Sequence, residues 1–455
     1  MKSFQITFYL FCFLGNIFSQ QVSVAQWSQS GNLSNLVGYP FISVADSNVV
    51  WIAGGTSNPV VYRTVNGGVN WTSIPVTGLP FVLSGVAAKD SLTAFVCDYA
   101  GDPQNGGNAK VFKTTNAGNS WTLVDSTGGL AGYFNGIQFS KSNPQFGIAF
   151  SDPPDGGGNP FFLLKTTNGG SNWIRQSPPG VTQSYGYFHS LFTIDPLFYG
   201  FLTFSFNSGS VKPYITNNGG LNWQLSQVSI PNNILSDVVF SDNKQTGIMV
   251  GGNIPKISRT TNAGVTWDTV NTNSQISGYA GACWISGTNT VFINSESNTN
   301  DNTILRSDDG GVTWSPQTTA NTTGLVEIDY ARYNNVIVAY CVSEIGDIIK
   351  TRQSVQPVGI SQLSNTIPEK FTIKQNYPNP FNPETKINYE LEITNYVTLV
   401  VYDVLGNELK TLVNNKQNAG SYSVNFDGAG LPSGVYFYKL SVDGFAETKS
   451  MVLLK

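Results

Sequence analysis

Composition excludes several classes of protein before any motif is considered. The chain has 455 residues, of which 11% are charged, and its formal net charge is −4 at pH 7. Soluble domains average about 25% charged residues, and so weak a net charge would not gather nucleic acid. The chain is 40% hydrophobic and 13% aromatic, with 47 Gly and 22 Pro. This composition argues against a helical bundle or a disordered chain and favours many short β-strands.

The chain begins with the features of a Sec signal peptide. A basic start, Met1-Lys2, precedes an apolar run from Phe4 to Phe18, which at about 15 residues is shorter than a membrane-spanning helix needs. Cleavage after Ala25 fits the preference for small residues, with cleavage after Ser19 as the alternative. Residues 1–25 are therefore predicted to be a signal peptide, and no transmembrane segment is expected in the mature protein.

An eight-residue pattern then recurs six times between residues 64 and 314: Ser/Thr-x-Asn/Asp-Gly/Ala-Gly-x-Asn/Thr/Ser-Trp. Each copy lies between two short apolar strands, so the pattern predicts a hairpin turn. The hydroxyl and the Asn/Asp side chain are expected to accept from nearby backbone N–H groups. The second Gly is expected to take a positive φ, and the Trp to pack beside the turn. The Asn/Asp and Trp residues are Asn66 and Trp71, Asn116 and Trp121, Asn168 and Trp173, Asn218 and Trp223, Asn262 and Trp267, and Asp309 and Trp314.

The pattern resembles the Asp-box, or bacterial neuraminidase repeat, of sialidase-like and photosystem II stability/assembly factor-like β-propellers, with Asn at the Asp position in five of six copies. The strand before a seventh copy stands at Ile348–Thr351, and the missing Trp strand stands at Trp27. Counting Trp27, successive Trp residues of the repeat are 44 to 52 residues apart, which suits a four-stranded blade. We therefore expect an all-β, seven-bladed propeller over residues 26–353, closed by its N-terminal strand.

The C-terminal fifth of the chain differs in character. The stretch from Ser354 to Pro368 lacks charge and carries two prolines, so residues 354–367 are predicted to be a linker. Residues 368–455 contain no Trp and no Arg. Apolar and polar residues alternate there in several short runs, which predicts a small β-sandwich of about seven strands.

Four segments of this module resemble the type A C-terminal sorting domain of the type IX (Por) secretion system: Gln375–Pro383, Val401–Gly406, Ser433–Leu440 and the ending Lys449–Lys455. The module is also similar to the Ig-like domain of flagellar hook-capping proteins. The resemblance implies a Bacteroidetes-type bacterium, type IX machinery as the partner, and delivery to the cell surface or the medium, usually with cleavage of the domain. A plain Ig-like domain on a linker is the alternative. The motif positions are Asn376, Pro378, Pro380, Phe381, Gly406 and Gly434.

Asp-box propellers include enzymes and binding proteins, so catalytic candidates need separate consideration. A sialidase needs three convergent arginines, whereas this chain has six Arg, of which Arg63, Arg259 and Arg306 stand directly before a repeat and only Arg332 remains unassigned. A glycosidase needs two apposed carboxylates. No candidate forms a family motif; the candidates are Asp237, Glu327 and Asp329 at the starts of inner strands and Asp98, Asp102, Asp152 and Asp155 in loops.

A ligand site is predicted at the channel mouth on the face opposite the Asp-box turns. The long loops at 98–108, 151–159 and 294–302 are expected to emerge there. Their Asp, Asn and Gly residues could bind Ca²⁺, although EF-hand spacing is missing and ordinary polar loops are the simpler interpretation. Aromatic residues beside neutral amides would suit a carbohydrate or a peptide. The predicted rim residues are Asn135, His189, the only His of the chain, Asp237, Glu327, Tyr133 and Tyr187.

Three cysteines follow the signal peptide, and no spacing typical of a metal site connects them. We expect three buried thiols, with a pair such as Cys97 and Cys341 as the alternative. The sequence as a whole predicts an exported binding or scaffolding propeller without a cofactor. A secreted glycan-active hydrolase, with a sialidase-like fold but no sialidase site, is the alternative function. A purely structural surface-layer component is a third.

Overall fold

The computed structural model shows an all-β protein. Among the residues that it describes, no helix is long and apolar enough to span a bilayer. The signal peptide and His189 lie outside the described residues. These are 26–36, 38–54, 59–76, 82–98, 108–128, 133–153, 160–181, 184–188, 190–205, 207–228, 230–231, 236–251, 256–272, 278–295, 304–317, 319–320, 322, 324–333, 335–355, 360–364, 368–417, 419–428, 431–442 and 444–455.

Antiparallel sheets of successive strands make up the N-terminal three quarters of the chain, because short strands alternate with tight turns. A first strand, Ser28–Asn32 (β1), precedes them. Blade 1 contains Phe41–Val44 (β2), Val50–Gly54 (β3), Val60–Thr64 (β4) and Thr72–Pro75 (β5); blade 2 contains Leu83–Ala88 (β6), Ala94–Asp98 (β7), Lys110–Thr114 (β8) and Thr122–Ser126 (β9); blade 3 contains Phe134–Phe139 (β10), Gly147–Ser151 (β11), Phe162–Thr166 (β12) and Ile174–Gln176 (β13).

Blade 4 departs from this order because its inner strand is split in two. Ser184–Gly186 (β14) and Phe192–Asp195 (β15) both pair with Phe198–Ser205 (β16). The sheet continues with Ser210–Thr216 (β17), Gln224–Leu225 (β18) and Ile230–Pro231 (β19). Blade 5 contains Ser236–Phe240 (β20), Gly247–Gly251 (β21), Lys256–Thr260 (β22) and Asp268–Val270 (β23); blade 6 contains Tyr279–Trp284 (β24), Val291–Ser295 (β25), Ile304–Ser307 (β26) and Ser315–Gln317 (β27).

The two ends of this region meet in one sheet. Blade 7 contains Leu325–Tyr333 (β28), Val336–Ser343 (β29) and Asp347–Ser354 (β30), and β1 pairs antiparallel with β30 as its fourth strand. Within the described residues, seven sheets thus succeed one another. The inner strands β2, β6, β10, β15, β20, β24 and β28 contact each other in that order, and β28 contacts β2. The contacts close a ring, which is the β-propeller that the sequence predicts.

Hydrophobic residues between neighbouring blades form the core of the ring. The second strand of most blades is buried along its whole length, as in β3, β11, β21 and β25. Aromatic pairs fill the spaces between sheets, such as Phe150 stacked on Phe201 with ring centroids 4.6 Å apart. Cys97, Cys283 and Cys341 are free and buried, so the alternative Cys97–Cys341 pair is wrong.

The repeated turns have the hydrogen bonds that the sequence predicts. In blade 1, Thr64 Oγ1 accepts from the Gly68 N–H (2.9 Å), and Asn66 Oδ1 accepts from the Asn70 N–H (2.9 Å). Asp309 accepts in the same way from the Thr313 N–H (2.9 Å) in blade 6. The positive φ extends further than predicted, because it includes the first residue of each Gly/Ala-Gly pair as well as the second.

The repeat Trp residues follow the prediction only in part. Trp267 is buried and Trp314 half-buried, and their indole N–H groups donate to the carbonyls of the turn glycines at 3.0 and 3.2 Å. In Trp71, Trp121 and Trp173 the indole nitrogen is buried without a hydrogen-bond partner. The ring rather than the N–H group therefore holds these residues beside the turn.

The C-terminal module is a sandwich of two four-stranded sheets around its own hydrophobic core. One sheet has the order β31-β36-β33-β32 and the other β35-β34-β37-β38. Residues 360–364 lie in the predicted linker but form the edge strand β31, because they pair with β36. The strands are Ile360–Ser364 (β31), Thr372–Ile373 (β32), Glu384–Leu391 (β33), Asn395–Tyr402 (β34), Glu408–Gln417 (β35), Gly420–Asp427 (β36), Gly434–Val442 (β37) and Phe445–Leu453 (β38).

Residues 375–383 cross one end of this sandwich as a strap. Buried Asn376 donates to the Pro378 carbonyl (3.1 Å) and to Thr385 Oγ1 (2.9 Å). The peptide bonds before Pro378 and Pro380 are cis. The Phe381 side chain is buried in the core, and its N–H donates to the Val452 carbonyl (2.9 Å) in the last strand. The strap thus fastens the start of the module to its end.

The two motif glycines lie at turns and strand starts. Gly406 takes a positive φ of 83° in the hairpin between β34 and β35. Asp403 holds that hairpin by accepting from the N–H groups of Leu405 (2.8 Å) and Asn407 (2.9 Å). Gly434 begins β37, and its φ is not positive.

Candidate functional site

The central channel of the propeller encloses a cavity of about 790 Å³. The inner strands of all seven blades line it, and their side chains provide both acids and bases. The charged lining residues are Asp46, Lys89, Lys141, Asp237, Asp242, Glu327, Asp329, Arg332 and Arg352. Cavities of this size accommodate small ligands or short segments of a polymer.

Carboxylates in the channel accept hydrogen bonds from the backbone of the neighbouring blade. Glu327 Oε2 accepts from the Ile42 N–H at 2.7 Å. Asp237 Oδ2 likewise accepts from the Ala282 N–H at 3.0 Å. These N–H groups belong to inner strands, whose channel-facing edges have no further strand to pair with. Each carboxylate therefore satisfies a strand edge that would otherwise lack partners.

Asp329 binds the backbone of the neighbouring blade in the same way and also pairs with a lysine. Its Oδ2 accepts from the Val44 N–H and from Lys141 Nζ, both at 2.7 Å. Lys141 also donates to the Val44 carbonyl at 2.9 Å, so one lysine joins blades 3, 7 and 1. Because the ion pair between Lys141 and Asp329 is partly exposed, it adds little to the free energy of folding and mainly positions the two side chains.

Burial perturbs the acid at the centre of the channel. The pKa of Asp237 lies well above its ordinary value because the carboxylate is desolvated, and the charge of Glu327 raises it further. A pair of carboxyl groups that face one cavity is one requirement for acid–base chemistry on a glycosidic bond. Asp237 and Glu327, two of the acids that the sequence places at the starts of inner strands, both line this cavity.

One end of the channel opens on the face that carries the Asp-box turns. Each turn donates to the hairpin between the first two strands of its own blade, as the Gly67 N–H does to the Asn48 carbonyl (2.9 Å). The hairpins of this face contribute Asp46, Lys89 and Arg332 to the lining. The rim predicted from the sequence is on the opposite face and does not include Asp46 or Lys89. Their position after the inner strands is the signal that points to them.

The described rim candidates of the opposite face are mostly buried. Asn135 is 2% exposed, and its Nδ2 donates to Asp152 Oδ1 at 2.6 Å. Tyr187 is 5% exposed and stacks on Phe188 with ring centroids 5.2 Å apart. Tyr133 is half-buried, and its carbonyl accepts from the Asp152 N–H (2.9 Å). Both side chains pack between strands, and Asn135 also lines the channel cavity, so a rim that includes Asn135 and Tyr187 stays a prediction.

Two loop acids of this face also form hydrogen bonds with the backbone of neighbouring strands. Asp152 accepts from the Gly186 N–H (2.8 Å), and burial raises its pKa to about 7. Asp98 accepts from the Lys110 N–H (2.6 Å), and burial raises its pKa to about 6. Most of the three long loops considered for Ca²⁺, including Asp102 and Asp155, lies outside the described residues. Among the residues that are described, no cluster of three or more acids, His or Cys could hold a metal ion.

The arginine side chains form hydrogen bonds and ion pairs at separate places in the ring and do not converge on one point. Arg259 Nε donates to the Gly310 carbonyl of the next blade at 2.7 Å, and Arg63 Nη1 donates to the Ala117 carbonyl at 3.4 Å. Arg306 reaches the Ser354 carbonyl (2.8 Å), and Arg175 pairs with Asp125. In the channel, Arg332 donates to the Ser286 carbonyl.

Comparison with known proteins bears on both parts of the chain. Residues 375–454 match the family model of the secretion system C-terminal sorting domain. The C-terminal module is a sorting domain. A sorting domain of this family directs export through the type IX secretion system, so the protein is delivered to the cell surface or the medium. No curated protein matches the sequence.

Solved structures with the same fold as the propeller show low sequence identity. YCF48 bound to D1 peptide is 16% identical with a TM-score of 0.50, covering 74% of this chain and 98% of its own. YCF48 from Cyanidioschyzon merolae is 16% identical with a TM-score of 0.51, covering 72% and 98%. The GH74 enzyme of Niastella koreensis is 14% identical, covering 69% and 60%, and its TM-score of 0.35 supports no inference. The two YCF48 structures establish the β-propeller fold ahead of the sorting domain and leave its activity open.

Proposed function

We propose that the propeller is a non-catalytic binding or scaffolding module that the sorting domain delivers outside the cell, and that its ligand enters the central channel. The observation that carries this proposal is that the acids in the channel bind the backbone of neighbouring blades. Glu327, Asp329 and Asp237 each accept a backbone N–H from the next blade. A catalytic carboxylate must reach the substrate at the reacting bond, whereas these oxygens hold the ring together.

The chemistry of the lining suits a polar polymer. The cavity combines exposed Tyr333 with acids and with the cations Lys89 and Lys141. Aromatic surface beside charged and neutral hydrogen-bonding groups favours a carbohydrate or a peptide over an apolar ligand. The structure of YCF48 with D1 peptide is an instance of a peptide on a propeller of this fold.

A hydrolase is the second candidate, because Asp237 and Glu327 share the cavity and Glu327 raises the pKa of Asp237. Fluorogenic glycosides, tested with and without Ca²⁺ on the purified full chain, distinguish the two candidates. We expect no turnover above the blank. Turnover that Asp237→Asn or Glu327→Gln abolishes, in protein whose melting is unchanged, would favour the hydrolase.

Binding is tested on glycan and peptide arrays with the same protein. We expect a ligand whose binding falls about tenfold or more in Tyr333→Ala, because Tyr333 lies at the channel mouth and is 77% exposed. Tyr396→Ala is the matched control, because Tyr396 is 52% exposed in the sorting domain. Arrays without ligands, or ligands that Tyr333→Ala leaves unchanged, would contradict binding in the channel.

A further inference from the structure

One face of the sorting domain presents apolar side chains to solvent. In the sheet β35-β34-β37-β38, the residues that alternate into the core include Leu399, Tyr438 and Met451. The intervening residues point outward, because successive side chains of a strand alternate between faces. Pairing places Tyr402 beside Phe437, and Val435 beside Val452. The outward patch consists of Val400, Tyr402, Val435, Phe437 and Val452.

This patch differs from an ordinary solvent-facing sheet. Antiparallel sheets with one open face usually carry polar residues on it. Here all five patch residues are partly or fully exposed; Val435 is 42% exposed, and the adjoining Leu405 and Leu454 are 83% and 53% exposed. Across the outward positions of β34, β37 and β38, all of them described, Lys439 is the one charged side chain, and on the fourth strand, β35, exposed Glu408 lies beside Tyr402.

The position of the patch in the chain identifies what it is for. The patch lies wholly within residues 375–454, which match the sorting-domain family. Tyr402, Val435, Phe437 and Val452 also belong to three of the four segments that carry the resemblance to sorting domains. A domain that directs export must be recognised by a protein of the export machinery. A contiguous exposed apolar patch is one mark of a surface that binds another protein.

We propose that the outward patch is the docking surface for the type IX machinery, and that it binds a protein surface that is apolar and carries a carboxylate opposite Lys439. The patch supplies the buried area, and Lys439, with Glu408 at the edge of the patch, sets the orientation through charge complementarity. The proposal concerns the sorting domain alone. Its outcome is therefore independent of what the propeller binds.

The test is export of the full chain from a bacterium with an active type IX system. The exported fraction is measured by immunoblotting of medium, cell surface and periplasm. We expect Val435→Thr/Phe437→Thr and, separately, Lys439→Glu to lower the exported fraction about tenfold. Ala446→Glu is the control, because it adds a charge to the same face at its far end, beside Ser441. It should leave export unchanged.

Two measurements keep the result unambiguous. Thermal melting of each purified variant shows whether the domain folds. If the double variant does not fold, the export of Lys439→Glu tests the proposal, because Lys439 is exposed and outside the core. Export of the folded variants at the wild-type level, or an equal loss in Ala446→Glu, would overturn the proposal. So would light scattering that shows a dimer dissolved by Phe437→Thr while export is unchanged, since the patch would then bind a second copy.

Discussion

At the scale of single residues, two repeat turns contain strain that the others avoid. Ala117 and Ala263 occupy the first position of the Gly/Ala-Gly pair, with φ of 66° and 58°. The other four copies have glycine there, at φ of 67° to 77°. An L-residue with a side chain pays roughly 1–2 kcal/mol for this left-handed conformation. The hydrogen bonds of the turn are the same in all copies, so they hold the two alanines in it.

Replacing Ala117 by Gly should therefore stabilise the propeller. Relief of the strain outweighs the greater freedom that Gly gives the unfolded chain, and we expect a gain of about 0.5–1 kcal/mol in the free energy of unfolding. The midpoint of urea unfolding measures the change. Gly310→Ala is the reverse experiment, because a Cβ at Gly310 meets nothing closer than 3.6 Å. A stability loss in Ala117→Gly, or none in Gly310→Ala, would show that the turn tolerates Ala.

At the scale of elements, basic residues connect five of the six repeat turns to the blade before them. Arg63, Lys113, Lys165, Arg259 and Lys350 stand directly before a Thr that begins a turn or, in blade 7, its remnant. Each donates to a carbonyl of the turn in the next blade, and Lys350 closes the series by donating to the Gly67 carbonyl of blade 1 (2.9 Å). Blade 4 has Ile215 at this position, and its side chain lies against Gly264.

Loss of one such contact should weaken the ring measurably. Arg259→Met keeps the aliphatic packing but leaves the Gly310 carbonyl without its charged donor. We expect a loss of about 1–2 kcal/mol in the free energy of unfolding. Arg352→Met, which removes an exposed arginine from β30, should change stability by less than about 0.5 kcal/mol. Equal effects of the two substitutions, measured by urea unfolding, would contradict a specific role for Arg259.

The elements also show where prediction from sequence ends. Local rules predicted the hairpin turns, because Thr64 and Gly68 contact each other across four residues. The target of Arg259 could not be predicted, since it depends on how far one sheet is rotated against the next. Glu327 was a candidate acid for catalysis, and its contact with Ile42 spans 285 residues. No pattern in one sequence reports such a pairing.

At the scale of the whole molecule, closure joins the two ends of the propeller. Trp27 is fully buried, and its ring meets Phe292 of blade 6 edge-on at 5.8 Å. The Trp27 carbonyl accepts from the Ala320 N–H at 2.8 Å, and the Gln26 carbonyl accepts from Thr351 Oγ1 at 2.7 Å. The spacing of the Trp residues predicted this closure, because only the N-terminus could supply the missing Trp strand of the last blade.

Removing residues 26–29 should therefore destabilise the ring far more than the loss of four residues suggests. The deletion takes away Trp27, whose loss from a core costs about 3–5 kcal/mol, and half of the pairing between β1 and β30. We expect the melting temperature to fall by about 5–10 °C. Ser28→Ala, which alters an exposed side chain of the same strand, should melt as the wild type does. A propeller held together within its blades alone would melt unchanged without residues 26–29, whereas one held by closure becomes an open arc with two unpaired ends.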